Sequence, residues 1–269
     1  MPDTIAHDVP LALGNPELAR RLAGRRPAVF LDYDGVLTPI VDRPEDAIMS
    51  DHMRAVVREL ATRMPVCVVT GRDRVVAQHL MGLDNLTVAG SHGFDIWTPE
   101  GGSLSDAHVA RYTDLIAEVT ERLRTAIHEI PGAHVEPKRA SVALHYRLAD
   151  PADRERISVT VQSVLDEYSD RVKVTPGKMV YEFGPNVDWN KGKAVLFLID
   201  ALGLADDDVI PLYLGDDITD EYAFEALRDR GMGILVGDPD DPDLAGRITA
   251  ADYLLASVDE VERFLETLT

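Results

Sequence analysis

Beyond its first two dozen residues the chain alternates continuous apolar runs with amphipathic stretches. Ala28–Tyr33 is a short apolar run leading into acids, the pattern of a strand buried on both faces. Ser50 then stands as the N-cap of a helix to about Met64, with Met53, Val56, Val57 and Leu60 on one stripe. Pro65–Thr70 reads as a second buried strand, 73–81 as a helix and Leu86–Gly90 as a third strand. This alternation predicts a parallel sheet with right-handed crossovers.

After residue 98 the period changes. TPEGG (98–102) is a turn, and Asp106 opens a long helix whose Val109, Tyr112, Ile116, Val119, Leu123 and Ile127 step by three or four. Pro131–Gly132 ends it. Strands follow over 133–139 and 141–147, and Asp150–Pro151 then starts a helix to about Tyr168. Strands over 172–175 and 178–183 meet at a Pro176–Gly177 turn. The order predicts an α+β module with an open sheet and helices on one side only. Past Gly184–Pro185 the first pattern resumes. Asn190 caps a helix over 191–202, Val209–Leu214 is a strand and a helix runs from about Thr219 to Arg230. Met232–Val236 and Tyr253–Leu255 are the last strands, and Ser257 with Glu260 forms a capping box on the final helix. The chain is thus read as an α/β, Rossmann-like core (1–102 and 184–269) interrupted by an inserted α+β cap domain (103–183).

Charge narrows the possible partners. Twenty-seven Lys and Arg against 47 Asp and Glu give a net charge of −20 over 269 residues. That excludes a nucleic-acid or anionic-membrane binder, since both reward basic patches. No stretch approaches the roughly 20 apolar residues of a membrane helix. The N-terminal MPDTIAHDVPLALG has no basic start or apolar run, so no signal peptide is expected. The single cysteine, Cys67, lies within the apolar PVCVVT and is expected to be a core thiol in a reducing, cytoplasmic setting.

Asp32 and Asp34 fall at the carboxyl end of the first strand, and Asp216 and Asp217 at that of Val209–Leu214. Ligands of open parallel sheets bind outside those ends. Gathered carboxylates repel unless a hard cation joins them, and oxygen donors suit Mg²⁺. Thr70 closes the second strand and Lys191 opens a helix, which supplies a hydroxyl, an ammonium and helix-start N–H groups for a phosphate. The combination points to Mg²⁺-dependent phosphoryl chemistry with an aspartate nucleophile.

DYDGVLTPI (32–40), VVTGR (68–72), NKGKA (190–194) and GDDITDE (215–221) resemble the four ordered motifs of the haloacid-dehalogenase phosphatases. The TPI segment, AGSHG (89–93), VEPKRASVALHYR (135–147) and VYEFGPNVDWNKGKAV (180–195) are similar to the trehalose-6-phosphate phosphatases within that superfamily. Val36 departs from the more usual threonine. The resemblance implies Asp32 as nucleophile and Asp34 as general acid and then base. Mg²⁺ would be held by Asp32, the Asp34 carbonyl and Asp216. Asp217 and Asp220 would orient metal waters and Lys191, while Thr70 and Lys191 bind the transferring phosphoryl group; Lys193 is the competing lysine. Arg72, His92 and Gly93 would contact substrate from the core.

In the cap, Ser141, Ala143, His145 and Arg147 alternate with apolar Val142, Leu144 and Tyr146. Glu136 shares a face with Lys138, and Lys178 with Glu182. Polar groups of both signs suit sugar hydroxyls, so Glu136, Lys138, His145, Arg147 and Glu182 are expected to bind the sugar, with the resemblance turning their face toward the active site. Cap closure would hinge near 95–103 and 183–189. The expected substrate is trehalose 6-phosphate. The alternatives are another sugar or pseudo-disaccharide phosphate, a phosphomutase, or a catalytically silent partner; a trehalose-phosphate synthase is the associated protein the resemblance suggests. Residues 103–183 carry 11 basic and 13 acidic residues, whereas 205–243 carry 2 and 13, so the acidity belongs to the core.

Overall fold

The computed structural model describes residues 4–104, 111–177, 179–242 and 244–269. In chain order its elements begin with β1 (Thr4–Ile5), α1 (Pro16–Leu22), β2 (Arg26–Leu31), α2 (Asp51–Arg63), β3 (Val66–Val69), α3 (Arg74–Met81), β4 (Thr87–Gly90), β5 (Asp95–Thr98) and β6 (Gly102–Ser103). An insertion follows, made of α4 (Thr113–Ile127), β7 (His134–Pro137), β8 (Val142–His145), α5 (Arg154–Glu167), β9 (Val172–Gly177) and β10 (Val180–Pro185). The chain closes with α6 (Lys191–Ala201), β11 (Val209–Gly215), α7 (Ile218–Leu227), β12 (Met232–Val236), β13 (Ile248–Thr249), β14 (Tyr253–Leu255) and α8 (Val258–Glu266). Two compact units result, one of residues 1–104 with 189–269 and the other of 105–188.

The larger unit is built on an eight-stranded sheet in the order β14-β12-β11-β2-β3-β4-β5-β6. Pairing is parallel from β14 to β4 and antiparallel for β5 and β6. Those last two strands form a short meander over 95–103, a stretch whose polar and glycine-rich sequence shows no alternation. Along β2, Val29 and Leu31 face one core cluster while Ala28 and Phe30 face another. That two-sided burial explains why the strand reads as a continuous apolar run. α2, α3 and α8 cover the first face through residues such as Val57, Met81 and Phe264. α6 and α7 cover the second through Val195, Leu198, Phe224 and Leu227.

Local capping follows the sequence. Ser50, Asp73 and Asn190 each accept a backbone N–H at the start of α2, α3 and α6. At α8 the Ser257 hydroxyl accepts from Glu260 N, and the Glu260 carboxylate accepts from Ala256 N.

The smaller unit is a four-stranded antiparallel sheet, β7-β8-β10-β9, with α4 and α5 on one face. Ile116, Val119, Leu123, Ile157, Val161 and Val164 pack against Val135, Val142, Leu144 and Phe183. Two boundaries differ from the sequence reading. β8 stops at His145, so Arg147 sits exposed in the following turn and no alternation carries it onto the polar face. β9 runs through Pro176 to Gly177, so the reversal comes later, with Met179 in the left-handed region. Asp106, Val109 and Lys178 lie outside the described residues. Among the described residues no helix is long and apolar enough to cross a membrane.

Candidate active site

Parallel pairing of β2 with β11, with Leu31 opposite Leu214, sets the DYD turn beside the GDD turn. Asp32 is 5% exposed; its Oδ1 accepts from Tyr33 N at 2.6 Å and its Oδ2 from Lys191 Nζ at 2.5 Å. Lys191 is brought there by its place at the start of α6, and its Nζ also reaches Asp220 Oδ1 at 2.6 Å. Asp220 takes two further kinds of donor: Tyr213 Oη on Oδ1 at 2.6 Å, and the amides of Asp216 and Asp217 on Oδ2 at 3.1 and 3.0 Å. This fully buried carboxylate is thereby saturated.

Electrostatics follow from that packing. Burial opposes the Lys191 charge, but Asp220 and Asp32 outweigh it and raise its pKa. Burial also pushes the Asp32 carboxyl well up against the pull of Lys191, with Asp220 and Asp216 adding to the push. Burial beside Asp220, eased in part by Lys191, drives the Asp216 carboxyl up to about 7. The Tyr213 phenol is raised by burial next to the same carboxylates.

Carboxylate oxygens of Asp32, Asp216 and Asp220 lie within 4.8 Å of one another. Asp220 is already engaged by its donors, whereas no side chain among the described residues donates to the Asp216 carboxylate. Gly35, at φ +73°, holds the Asp34–Val36 turn so close to Asp216 that a Cβ there would lie 2.1 Å from Asp216 Oδ2. A half-buried carboxylate without a side-chain donor, with Asp32 and a main-chain turn beside it, is an oxygen donor set that fits a hard divalent cation.

Asp34 is clamped by Arg72, whose Nε and Nη2 reach Oδ2 and Oδ1 at 2.7 and 2.6 Å, while Nη1 reaches the Pro44 carbonyl. Arg72 also lies over the Tyr33 ring. Its planar fork matches the nearby carboxylate, and all three nitrogens are engaged. Thr70, buried, accepts Arg72 N on its hydroxyl.

Other expected residues fall in less direct places. Asp217 is exposed and caps α7, accepting from Ile218 N, because helix-start amides capture an N-cap carboxylate; of the expected pair it is Asp220 that bonds Lys191. Gly93 is buried against Ala194 of α6, where a Cβ would lie 2.2 Å from the Ala194 methyl. His92 stands partly exposed over Gly71, where a Cβ would come within 2.8 Å of its ring. Ser91 and His92 are both in the left-handed region, and their amides bond to Arg72 O and Thr70 O. Such strain is concentrated at functional sites.

In the smaller unit, Glu136, Ala143, Glu182 and Thr175 stand in one row across the four strands. Around the small Ala143, Glu136 bonds His145 at 2.7 Å, and Glu182 takes Ser141 at 2.7 Å and Lys138 at 3.3 Å. His134, absent from the sequence reading, stacks on His145. Tyr213 and Arg247 were also missed: neither belongs to a motif, and only strand pairing or a distant loop brings each to the carboxylates. Tyr213 shows only as one more apolar position in a buried strand.

Carboxylates at the ends of adjacent parallel strands, joined by a buried lysine from a helix start, define a phosphatase of the haloacid-dehalogenase class. Residues 30–255 match the family model described as trehalose-phosphatase, and the chain belongs to that family of phosphoric monoester hydrolases. It is 40% identical to a probable trehalose-phosphate phosphatase G of Arabidopsis thaliana over 93% of this chain and 71% of that protein. A probable trehalose-phosphate phosphatase 4 of Oryza sativa subsp. japonica is also 40% identical, with 93% and 67% covered. The trehalose-6-phosphate phosphatase of Aspergillus fumigatus superposes with TM-score 0.67 at 28% identity, covering 96% of this chain and 98% of that one. Phosphatases of this class are generally metal-dependent, in keeping with the acidic cluster.

Proposed function

We propose that the chain hydrolyses trehalose 6-phosphate with Asp32 as nucleophile and Asp34 as proton carrier. One observation carries the reading: Asp32 is buried, hydrogen-bonded to Lys191, and within 4.8 Å of the Asp216 carboxylate. An Asp32 oxygen attacks phosphorus as the bond to the sugar oxygen breaks, and Asp34 gives that oxygen its proton. Water then attacks the aspartyl-phosphate, Asp34 takes its proton, and phosphate leaves with Asp32 regenerated. Lys191 and Thr70 hold the transferring phosphoryl group, where most of the catalysis is charge stabilisation. For Asp34 to reach the leaving oxygen the Arg72 clamp must loosen, which makes Arg72 a residue that positions the acid.

Asp32, the Asp34 carbonyl and Asp216 would hold Mg²⁺, which when bound supplies charge neutralisation for the incoming phosphate. The sugar would be read by Glu136, Lys138, His145 and Glu182 in the smaller unit, with His92 from the core; Arg147 is a further candidate. A cytoplasmic setting fits the buried, reduced Cys67. Association with a trehalose-phosphate synthase belongs to the same reading, and co-purification of the two proteins tests it.

The central test is phosphate release from trehalose 6-phosphate by wild type and Asp32→Asn. The variant should lose about 10⁴-fold or more in kcat; retained turnover removes the nucleophile assignment. A panel of other sugar phosphates decides the substrate.

A further inference from the structure

The Asp216 main chain is held from both sides, by Asp220 of its own motif and by Arg247 outside the four motifs. Its amide donates to Asp220 Oδ2 at 3.1 Å, and its carbonyl accepts from Arg247 Nη1 at 2.6 Å. Arg247 stands 31 residues downstream in sequence. Its Nη2 meets Glu221 Oε1 at 3.0 Å, and both side chains are largely buried, 15% and 17% exposed. Glu221, in the first turn of α7, is itself fixed by Thr249 Oγ1 and Ala250 N on Oε2, at 3.1 and 2.8 Å. The Arg247–Thr249 segment is tied to the N-terminal strand: Ala6 N donates to Arg247 O at 2.8 Å, and β1 pairs with β13.

This is an expensive arrangement for a purely structural arginine. It buries a guanidinium with Nε left without a hydrogen-bond partner, next to a turn whose exposed chain could be solvated instead. What it achieves is specific. With amide and carbonyl both pinned, the Asp216 backbone cannot rotate, and the carboxylate is aimed at Gly35 and Asp32. Groups that orient a metal ligand without touching the metal commonly govern its affinity.

We infer that Arg247 is a positioning residue for the metal carboxylate Asp216, held in register by Glu221 and the N-terminal strand. The inference rests on the reading of Asp216 as a metal ligand. It acts on cation affinity and leaves recognition of the sugar untouched.

The test is a Mn²⁺ titration of the full chain without substrate, following the free-ion electron paramagnetic resonance signal. It is joined to steady-state kinetics at saturating metal. Arg247→Met should weaken Mn²⁺ binding by about tenfold, with KM for the sugar phosphate within about twofold of wild type. Arg247→Lys keeps the charge but replaces the planar two-nitrogen fork with a single ammonium, and should recover only part of the loss. Unchanged Mn²⁺ affinity in folded Arg247→Met overturns the inference. If that variant does not fold, Arg247→Lys decides: intermediate affinity supports it and wild-type affinity overturns it. Asp216→Asn separates the premise from the inference. If it binds Mn²⁺ as wild type does, the metal reading itself fails; if it loses binding while Arg247→Met keeps it, only the role of Arg247 fails.

Discussion

The strand-end site of the larger unit and the polar face of the smaller one both gather acids and bases, and they are built in opposite ways. In the first, Asp32, Lys191 and Asp220 are 5%, 2% and 0% exposed, and main-chain amides hold two of them. In the second, Glu136 and His145 keep 45% and 38% of their side chains exposed and bond to each other, as do Glu182, Lys138 and Ser141. Buried charges with fixed donors cannot reorganise, which is what stabilising a developing charge requires. Side chains that satisfy one another, with Glu136 and His145 partly exposed and Glu182 and Lys138 22% and 13% exposed, can exchange those partners for sugar hydroxyls. One region pins its charges with main-chain amides and the other pairs them side chain to side chain.

The largest effect that would sharpen this contrast is metal removal. Chelation should lower phosphate release by about a thousandfold or more and Mg²⁺ should restore it, while the melting of the smaller unit stays where it was. Next is Asp220→Asn. It leaves Lys191 and two amides facing a weaker acceptor in a fully buried site, and should cost about 3 kcal/mol in urea unfolding along with most activity. A loss below about 1 kcal/mol would mean that the site is softer than its burial implies.

On the other side of the comparison, Glu182→Ala should raise KM for trehalose 6-phosphate about tenfold, some 1.4 kcal/mol of binding. It should leave hydrolysis of a small aryl phosphate and the melting temperature nearly unchanged. Equal losses on both substrates would erase the division of labour. The smallest effect is acid sensitivity. The hydrogen bond from His145 holds the Glu136 carboxyl below its ordinary value near 4.5. A carboxyl lowered on folding adds stability above its unfolded pKa, and that stability is lost as pH falls through the folded one. Wild type should therefore lose ~0.5 kcal/mol or less between about pH 5 and pH 3 after solvent screening, and Glu136→Gln should flatten that slope in thermal melts.

Much of the fold was readable because its signals are local. The two-sided burial of β2 and β3, the caps at Ser50, Asp73 and Asn190, and the one-sided helices of α4 and α5 all follow from side-chain period and capping chemistry. The β5–β6 meander and β13 were not readable, since strands of two to four residues carry too little alternation. The site divides in the same way. Asp32, Asp34, Thr70, Lys191 and Asp216 stand in motifs at strand and helix ends. That Asp217 caps α7 was not legible, because an N-cap and a metal-motif aspartate look alike in sequence.

By itself, then, the sequence determined which side chains could do the chemistry and at which strand ends they fall, because periodicity and motif spacing are properties of the chain. Only the tertiary structure decided which charge answers which: that Arg72 clamps Asp34, that Tyr213 and two amides saturate Asp220, and that Arg247 reaches back to the Asp216 carbonyl. Those partners are set by strand pairing and by loops folded across long sequence separations, so no local pattern in the chain encodes them.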